Sequence, residues 1–136
     1  MGEKIGRALK GGEVIELASD LGGGKTTFVR GLVRGANSQD KVASPTFTIS
    51  KVYQTADFEI NHFDFYRLSD PGIVADELAE VIGDPQVVVV VEWADVVRNV
   101  LPAKRLRIHI KQTPTGTRRF SFRAPYGLHY LVQAAR

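Results

Sequence analysis

The sequence predicts an α/β protein in which a mixed, partly parallel β-sheet lies between two layers of helices. Two observations indicate parallel strands. The apolar segment 13–18 is followed by glycines and an amphipathic helix, and Val87–Val91 is a run of five valines. Such a run is typical of a strand buried on both faces of a helix-covered sheet. A third observation adds an antiparallel pair, because the alternating segments 106–110 and 118–122 flank a turn at 113–116.

Local signals assign the remaining segments. A helix is expected where apolar residues recur every three or four positions, and a strand where they alternate. The third helix has Asp70 as its N-cap and Pro71 at its first position, residue types preferred there. In chain order, these signals predict a helix over 3–10 that ends at Gly11-Gly12, a helix from Thr26 to about Arg34, strands over 46–54 and 58–63, a helix from Asp70 that ends at 83–85, and a short helical or irregular tail from Tyr126.

Length and composition predict a single domain over residues 1–136. With 43% hydrophobic and 24% charged residues, the chain has the balance of an ordinary globular protein. It contains no cysteine, which excludes disulfides and thiolate metal sites. No apolar run approaches the roughly 20 residues of a membrane-spanning helix, and the N-terminus lacks the apolar core of a secretion signal. We therefore expect a cytoplasmic protein with no membrane partner.

The net charge of +3 hides an asymmetry along the chain. Residues 1–97 carry nine Lys/Arg and fifteen Asp/Glu, whereas the basic C-terminal segment from about residue 98 carries nine Lys/Arg and no acid. Such a segment suits RNA or an acidic protein surface. The alternation of basic and aromatic residues over 118–123 is explained equally well by a strand that turns its phenylalanines to the core.

The most informative motif is SDLGGGKT at residues 19–26, between the first strand and the second helix. The glycines allow a tight turn and let successive backbone N–H groups face an anion, to which the helix N-terminus adds its partial positive charge. Lys25 can reach the outer phosphates of a nucleotide, and the Thr26 hydroxyl can bind a magnesium ion. Ser19 stands where the pattern G-x-x-x-x-G-K-[ST] has its first glycine. The motif still predicts a nucleotide triphosphate site in a P-loop NTPase-like three-layer sandwich.

Two carboxylates are expected near this loop. Glu92 comes directly after the five valines, and Asp64 comes after the predicted strand 58–63. In open α/β sheets, ligands bind beyond the carboxyl ends of the strands. A carboxylate there holds magnesium or orients the attacking water, and the sequence leaves open which residue does which.

Three further residues are weaker candidates. Thr46, in Ser44-Pro45-Thr46, has a hydroxyl of the kind that senses a metal and a γ-phosphate. Trp93 packs against the nucleotide, a neighbouring loop or the core. His62 lies beside Asp64, but a lone histidine is more often structural than catalytic. The guanine-reading pattern Asn-Lys-x-Asp is absent, which disfavours a GTPase.

Four motifs occur in one order, namely DLGGGKTTF at 20–28, SPTFT at 44–48, HFDFYRL at 62–68 and VEWA at 91–94. Together they closely resemble the TsaE (YjeE) family of small bacterial P-loop ATPases over roughly residues 5–111. The resemblance implies an ATPase that binds ATP or ADP and Mg²⁺. It also implies the partners TsaB and TsaD, which make threonylcarbamoyladenosine beside the anticodon of tRNA. The tRNA is then a partner reached indirectly or through the complex, and the sequence leaves open whether the basic C-terminal segment contacts it.

The same resemblance assigns residues. The implied nucleotide-binding residues are Leu21, Gly22, Gly23, Gly24, Lys25, Thr26, Thr27 and Trp93. The implied metal-site residues are Thr26, Thr46, Asp64 and Glu92, of which Asp64 and Glu92 would also serve hydrolysis. The family usually has Gly where Ser19 stands and Ala where Gly23 stands.

Two other functions compete with this one. A degenerate module that regulates partners by binding nucleotide without hydrolysis is favoured by Ser19. A small-molecule kinase is disfavoured, because 136 residues leave little room for an acceptor-binding lid.

Overall fold

The computed structural model describes residues 1–19, 24–42, 50–66 and 72–136. The helices are α1 (Gly2–Ala8), α2 (Lys25–Gly35), α3 (Gly72–Val81) and α4 (His129–Ala135). The strands are β1 (Val14–Ser19), β2 (Ser50–Gln54), β3 (Glu59–Asp64), β4 (Val87–Glu92), β5 (Leu106–Gln112) and β6 (Arg118–Arg123). Single 3-10 turns cover Ala94–Val97 and Tyr126–Leu128.

The strands of the described residues form one sheet in the order β2-β3-β4-β1-β5-β6. The four inner strands run parallel to one another, and the edge strands β2 and β6 are antiparallel to their neighbours. Strand β4 lies between β3 and β1 and is buried along its whole length, which explains its continuous apolar sequence. The predicted mixed, partly parallel sheet is confirmed.

Helices cover both faces of this sheet and give the predicted three layers. On one face, α1, α2 and α4 pack over a core that includes Ile15, Leu17 and the even-numbered valines of β4. On the other face, α3 and the turn Ala94–Val97 pack over a second core that includes Phe63 and the odd-numbered valines. Because side chains alternate along a strand, β4 supplies both cores. Helix α2 therefore lies on the face of the even-numbered residues of β3 and β4.

Helices α1 and α2 pack backbone against backbone. A Cβ built on Gly6 would lie 2.2 Å from the carbonyl oxygen of Leu32, and one on Gly35 would lie 2.2 Å from that of Glu3. Any larger residue at either glycine would force the helices apart. This contact fixes α2, whose first residues form part of the site described below.

Helix α1 ends earlier than the predicted helix 3–10, and Glu13 supplies the reason. The backbone N–H groups of residues 10–11 donate to the Glu13 carboxylate, at 2.7 and 2.8 Å, instead of continuing the helix. The Tyr130 hydroxyl donates to the same carboxylate at 2.5 Å and ties α4 to this turn. Burial and the neighbouring Glu13 carboxylate raise the pKa of Tyr130 well above its usual range, so the phenol keeps its proton.

The other predicted segments occur within one or two residues of their predicted bounds where they are described. The first part of the predicted strand 46–54 and the cap residues Asp70 and Pro71 lie outside the described residues. The tail from Tyr126 is a 3-10 turn followed by α4. Within the described ranges, no helix is both long enough and apolar enough to cross a membrane.

The basic C-terminal segment forms β5, β6 and α4. Phe120 and Phe122 pack against the first core, as the alternation predicts. The opposite face of this strand pair carries two like-charged cross-strand pairs, Arg107 with Arg123 and Lys111 with Arg119. We call these four residues the basic sheet surface. Like charges directly opposite each other destabilise a strand pair. Glu16 compensates part of this charge, because its Oε2 lies 3.6 Å from Nε of Arg107.

Candidate functional site

Four side chains predicted to act on a nucleotide lie at one edge of the sheet. Lys25 and Thr26 begin α2, which follows β1, while Asp64 ends β3 and Glu92 ends β4. Strands β1, β3 and β4 are parallel, so their carboxyl ends share this edge, and Asp64 and Glu92 are register partners. Open α/β sheets bind ligands at this edge.

Helix α2 begins with a backbone conformation that favours glycine. Gly24 is its N-cap, with a left-handed φ of 98°. A Cβ at this position would also lie 2.9 Å from Nε of Arg118, which β6 brings against the start of the helix. The first N–H groups of a helix have no intrahelical acceptor, so this turn offers donors to an anion.

The ammonium group of Lys25 lies between the end of β1 and an aromatic ring. Its Nζ donates to the carbonyl oxygen of Ser19 at 3.3 Å and lies 5.1 Å from the centroid of the Trp93 ring. A cation over an indole face is attracted to it. The Trp93 ring in turn lies 4.9 Å from the Tyr66 ring. These contacts hold a positive charge at the start of α2.

Trp93 has a strained backbone. Its φ and ψ of 57° and 52° place it in the left-handed region, which costs a bulky L-residue roughly 1–2 kcal/mol. Such strain persists only where the surroundings fix it, and it concentrates at functional sites. The conformation turns the chain sharply from β4 into Ala94–Val97 and leaves the half-buried Trp93 ring beside Lys25.

Both carboxylates are buried, with 3% of Glu92 and 6% of Asp64 exposed. The backbone N–H of Tyr66 donates to Oδ1 of Asp64 at 2.9 Å. The N–H of Phe65 donates to the carbonyl oxygen of Glu92 at 3.1 Å, so the β3–β4 pairing continues past the strand ends. Nε2 of His62 lies 2.6 Å from Oε2 of Glu92. The two carboxylates are thus held in fixed positions rather than projecting into solvent.

The donors at this edge suit magnesium. Thr26 offers a hydroxyl oxygen, and Asp64 and Glu92 offer carboxylate oxygens, the hard ligands that Mg²⁺ prefers. Mg²⁺ is usually bound by one or two carboxylates together with substrate phosphates and water. Among the described residues, no three His, Cys, Asp or Glu side chains cluster closely enough to hold a metal by themselves. The arrangement therefore fits a metal whose coordination shell is completed by phosphate oxygens.

A cavity of about 720 Å³ lies alongside the start of α2. Gly24, Thr27 and Phe28 line it together with Arg118, and its other basic lining residues are Lys4, Arg7, Arg30 and Arg34. This volume falls within the roughly 300–1,000 Å³ of small-molecule sites. Thr27, which the family resemblance implies as a nucleotide-binding residue, is among the residues that line this cavity.

The structure thus brings together most of the predicted site residues that it describes: Gly24, Lys25, Thr26, Asp64, Glu92 and Trp93. Leu21, Gly22, Gly23 and Thr46 lie outside the described residues. Sequence reasoning missed one neighbour of the site, Arg118, because no local signal brings it to Gly24. His62 was only a weaker candidate, although strand alternation places it on the face of Asp64.

Ser19 is accommodated by the backbone of β1. It is the last residue of that strand and pairs in register with Ile110, so its extended conformation accepts a Cβ. We expect Ser19→Gly to leave the affinity for ATP unchanged or to tighten it modestly, as measured by calorimetry. Ala18→Gly controls for the effect of a glycine on β1. A tenfold loss of affinity in Ser19→Gly alone, about 1.4 kcal/mol, would instead mean that the hydroxyl contacts the nucleotide.

Comparison with known proteins gives a consistent result. The family described as "Threonylcarbamoyl adenosine biosynthesis protein TsaE" matches residues 1–120. The chain is 39% identical over 117 residues to the tRNA threonylcarbamoyladenosine biosynthesis protein TsaE of Bacillus subtilis, covering 85% of this chain and 72% of that one. It is 35% identical over 102 residues to the protein of the same name from Haemophilus influenzae, covering 71% of this chain and 61% of that one.

A solved structure extends the similarity to the fold. The crystal structure of Bacillus subtilis YdiB superposes with a TM-score of 0.76 at 33% sequence identity, covering 97% of this chain and 82% of that one. The matching family, the sequence relatives and the shared fold lead to one conclusion. This chain belongs to the TsaE family of threonylcarbamoyl adenosine biosynthesis proteins.

Proposed function

We propose that this chain is a cytoplasmic protein that binds and hydrolyses ATP to support threonylcarbamoylation of the adenosine beside the anticodon of tRNA. It would act with TsaB and TsaD, which carry out the transfer. One observation carries the catalytic part of this proposal: Asp64 and Glu92 are buried register partners at the sheet edge beside the start of α2. The names of the relatives support the tRNA-modification part.

Each residue has a role that its chemistry permits. The first N–H groups of α2 and the Lys25 ammonium neutralise phosphate charge, which concentrates in the transition state of phosphoryl transfer. Asp64 and Glu92 divide two tasks, metal binding and orientation of the attacking water. Trp93 holds the lysine charge at the site through its ring. Catalysis by such a site is mainly positioning and electrostatic stabilisation.

Magnesium would be held by the Thr26 hydroxyl and by one or both carboxylates, Asp64 and Glu92. When bound, Mg²⁺ neutralises charge on the phosphate oxygens. Thr46 is a further proposed contact to the metal and the γ-phosphate. The fixed carboxylates require little rearrangement for this task, because backbone and side-chain hydrogen bonds already hold them.

Binding without hydrolysis is the alternative function. Ser19 favoured it, but the extended backbone of β1 accommodates this residue. Single-turnover hydrolysis with TsaB and TsaD present separates the two functions, because a binding-only module would retain its ATP intact.

Turnover is expected to depend on the partners. Hydrolysis of a γ-phosphate is favoured when an element closes over it and excludes water, and a partner would supply that element here. The basic sheet surface is the proposed docking surface for an acidic region of that partner.

We expect slow ATP hydrolysis by the chain alone and faster hydrolysis when TsaB and TsaD are added. Modification is reconstituted from threonine, bicarbonate, ATP and tRNA, and modified tRNA is counted per complex with and without this chain. More than one modified tRNA per complex should form only when the parent chain is present. Adding the Lys25→Ala form instead should not restore multiple turnovers. Unchanged multiple-turnover modification without the chain would refute the pathway assignment even if ATP binding were observed.

A further inference from the structure

A buried polar pair lies beside the proposed hydrolytic site. Nε2 of His62 is 2.6 Å from Oε2 of Glu92, and the two side chains are only 1% and 4% exposed. A carboxylate accepts hydrogen bonds and cannot donate them, so Nε2 carries the proton and donates to Glu92. Glu92 therefore has one oxygen engaged and the other available to a second partner.

The sheet register places His62 two residues before Asp64 along β3, on the side of the two carboxylates that is farther from the strand ends. His62 pairs with Val90 and Asp64 pairs with Glu92 in the parallel β3–β4 ladder. Because side chains alternate, His62, Asp64 and Glu92 lie on the same face as Ile60 in the first core. The imidazole thus stands between the apolar interior and the edge where phosphate would bind.

Stability does not account for this pair. Desolvating two polar groups costs free energy, and apolar residues of similar volume are often at least as favourable at such positions. Nδ1 of His62 is buried and has no hydrogen-bond partner among the described residues, which adds to the cost. A costly buried group that contacts a proposed reactive carboxylate indicates a role at the site rather than in the core.

We propose that His62 is a positioning residue for ATP hydrolysis. Its Nε2–H group fixes the Glu92 side chain so that Oε1 can contact the attacking water or the metal. A glutamate has three rotatable side-chain bonds, and a catalytic carboxylate must be held within about 0.5 Å of its productive position. This inference rests on the proposed function, in which Glu92 serves hydrolysis.

The test compares two replacements in the complex with TsaB and TsaD. His62→Leu removes the donor and keeps an apolar side chain, whereas His62→Gln retains an N–H donor. We expect His62→Leu to keep ATP affinity by calorimetry and to lower single-turnover hydrolysis about 10–100-fold, the usual effect of removing a group that orients a ligand or catalyst. His62→Gln should recover part of this loss. Asn61→Leu is the matched control, because Asn61 is equally a buried polar residue of β3 but faces the other side of the sheet.

A double variant separates positioning from structural damage. In a Glu92→Gln background, His62→Leu should cause no further loss, because the donor then has no catalytic carboxylate to orient. Additive losses, or equal losses in His62→Leu and Asn61→Leu, would overturn the inference. So would parallel losses of ATP affinity and hydrolysis in both His62 variants.

The same variants distinguish a failure of the role proposed for Glu92 from a failure of the inference about His62. If Glu92→Gln hydrolyses ATP at the parental rate, the role proposed for Glu92 fails and the inference about His62 fails with it. If Glu92→Gln is slow but His62→Leu is as fast as the parent, only the inference about His62 fails.

Discussion

Replacing Lys25 with alanine should abolish measurable magnesium-dependent binding of ATP and ADP. The Lys25 ammonium is the proposed main side-chain contact to phosphate, and a hydrogen bond to a charged group contributes about 1.5–3 kcal/mol, or roughly 10–100-fold in affinity. The loss should reach the upper end of this range, because the lysine is buried and held at the site by Ser19 and Trp93. Calorimetry with ATP, ADP and GTP measures the effect.

Lys104→Ala is the matched control for this prediction. Lys104 is exposed and lies just before the first residue of β5, at the end of the parallel strands opposite Lys25, so its loss changes the net charge equally without touching the site. Its ATP affinity should equal that of the parent. An unchanged affinity in Lys25→Ala, measured on protein that melts as the parent does, would disprove the phosphate-loop interpretation.

Glu92→Gln should keep ATP affinity but lose most hydrolysis. The amide preserves the shape of the side chain and still accepts the hydrogen bond from His62, while it removes the charge that orients water or metal. Loss of one well-placed catalytic group typically costs roughly 10²–10⁴ in rate. Single-turnover hydrolysis in the presence of TsaB and TsaD measures the effect, with calorimetry confirming that ATP still binds.

The control for Glu92→Gln is Glu59→Gln. Glu59 lies at the first residue of β3, at the end of the sheet opposite Asp64, so its replacement should leave hydrolysis unchanged. The Asp64→Asn variant, measured in parallel, shows which of the two carboxylates orients the attacking water and which binds the metal. Parental hydrolysis in Glu92→Gln together with a large loss in Asp64→Asn would move the water-orienting role to Asp64.

The elements of the fold were largely predictable, because their signals are local. Five consecutive valines indicate a doubly covered strand, and the strand is buried throughout. The early end of α1 was not predictable from its own residues. Its cause is the Glu13 carboxylate, which competes for the backbone N–H groups that would have extended the helix and is itself held by Tyr130 from α4.

The sequence by itself determined which residue types are available to the proposed site. The glycines, lysine and threonine of the loop predict phosphate chemistry, and Asp64 and Glu92, at the ends of apolar strands, predict a magnesium site. Only the tertiary structure decided the partners of those residues. The parallel register sets Asp64 beside Glu92 and His62 against it, and β6 carries Arg118 to Gly24. The physical reason is that residue type and spacing fix the local secondary structure and the kinds of ligand that each side chain can bind. Contacts between residues far apart in the chain depend on strand order and register, which arise from packing both faces of the sheet at once.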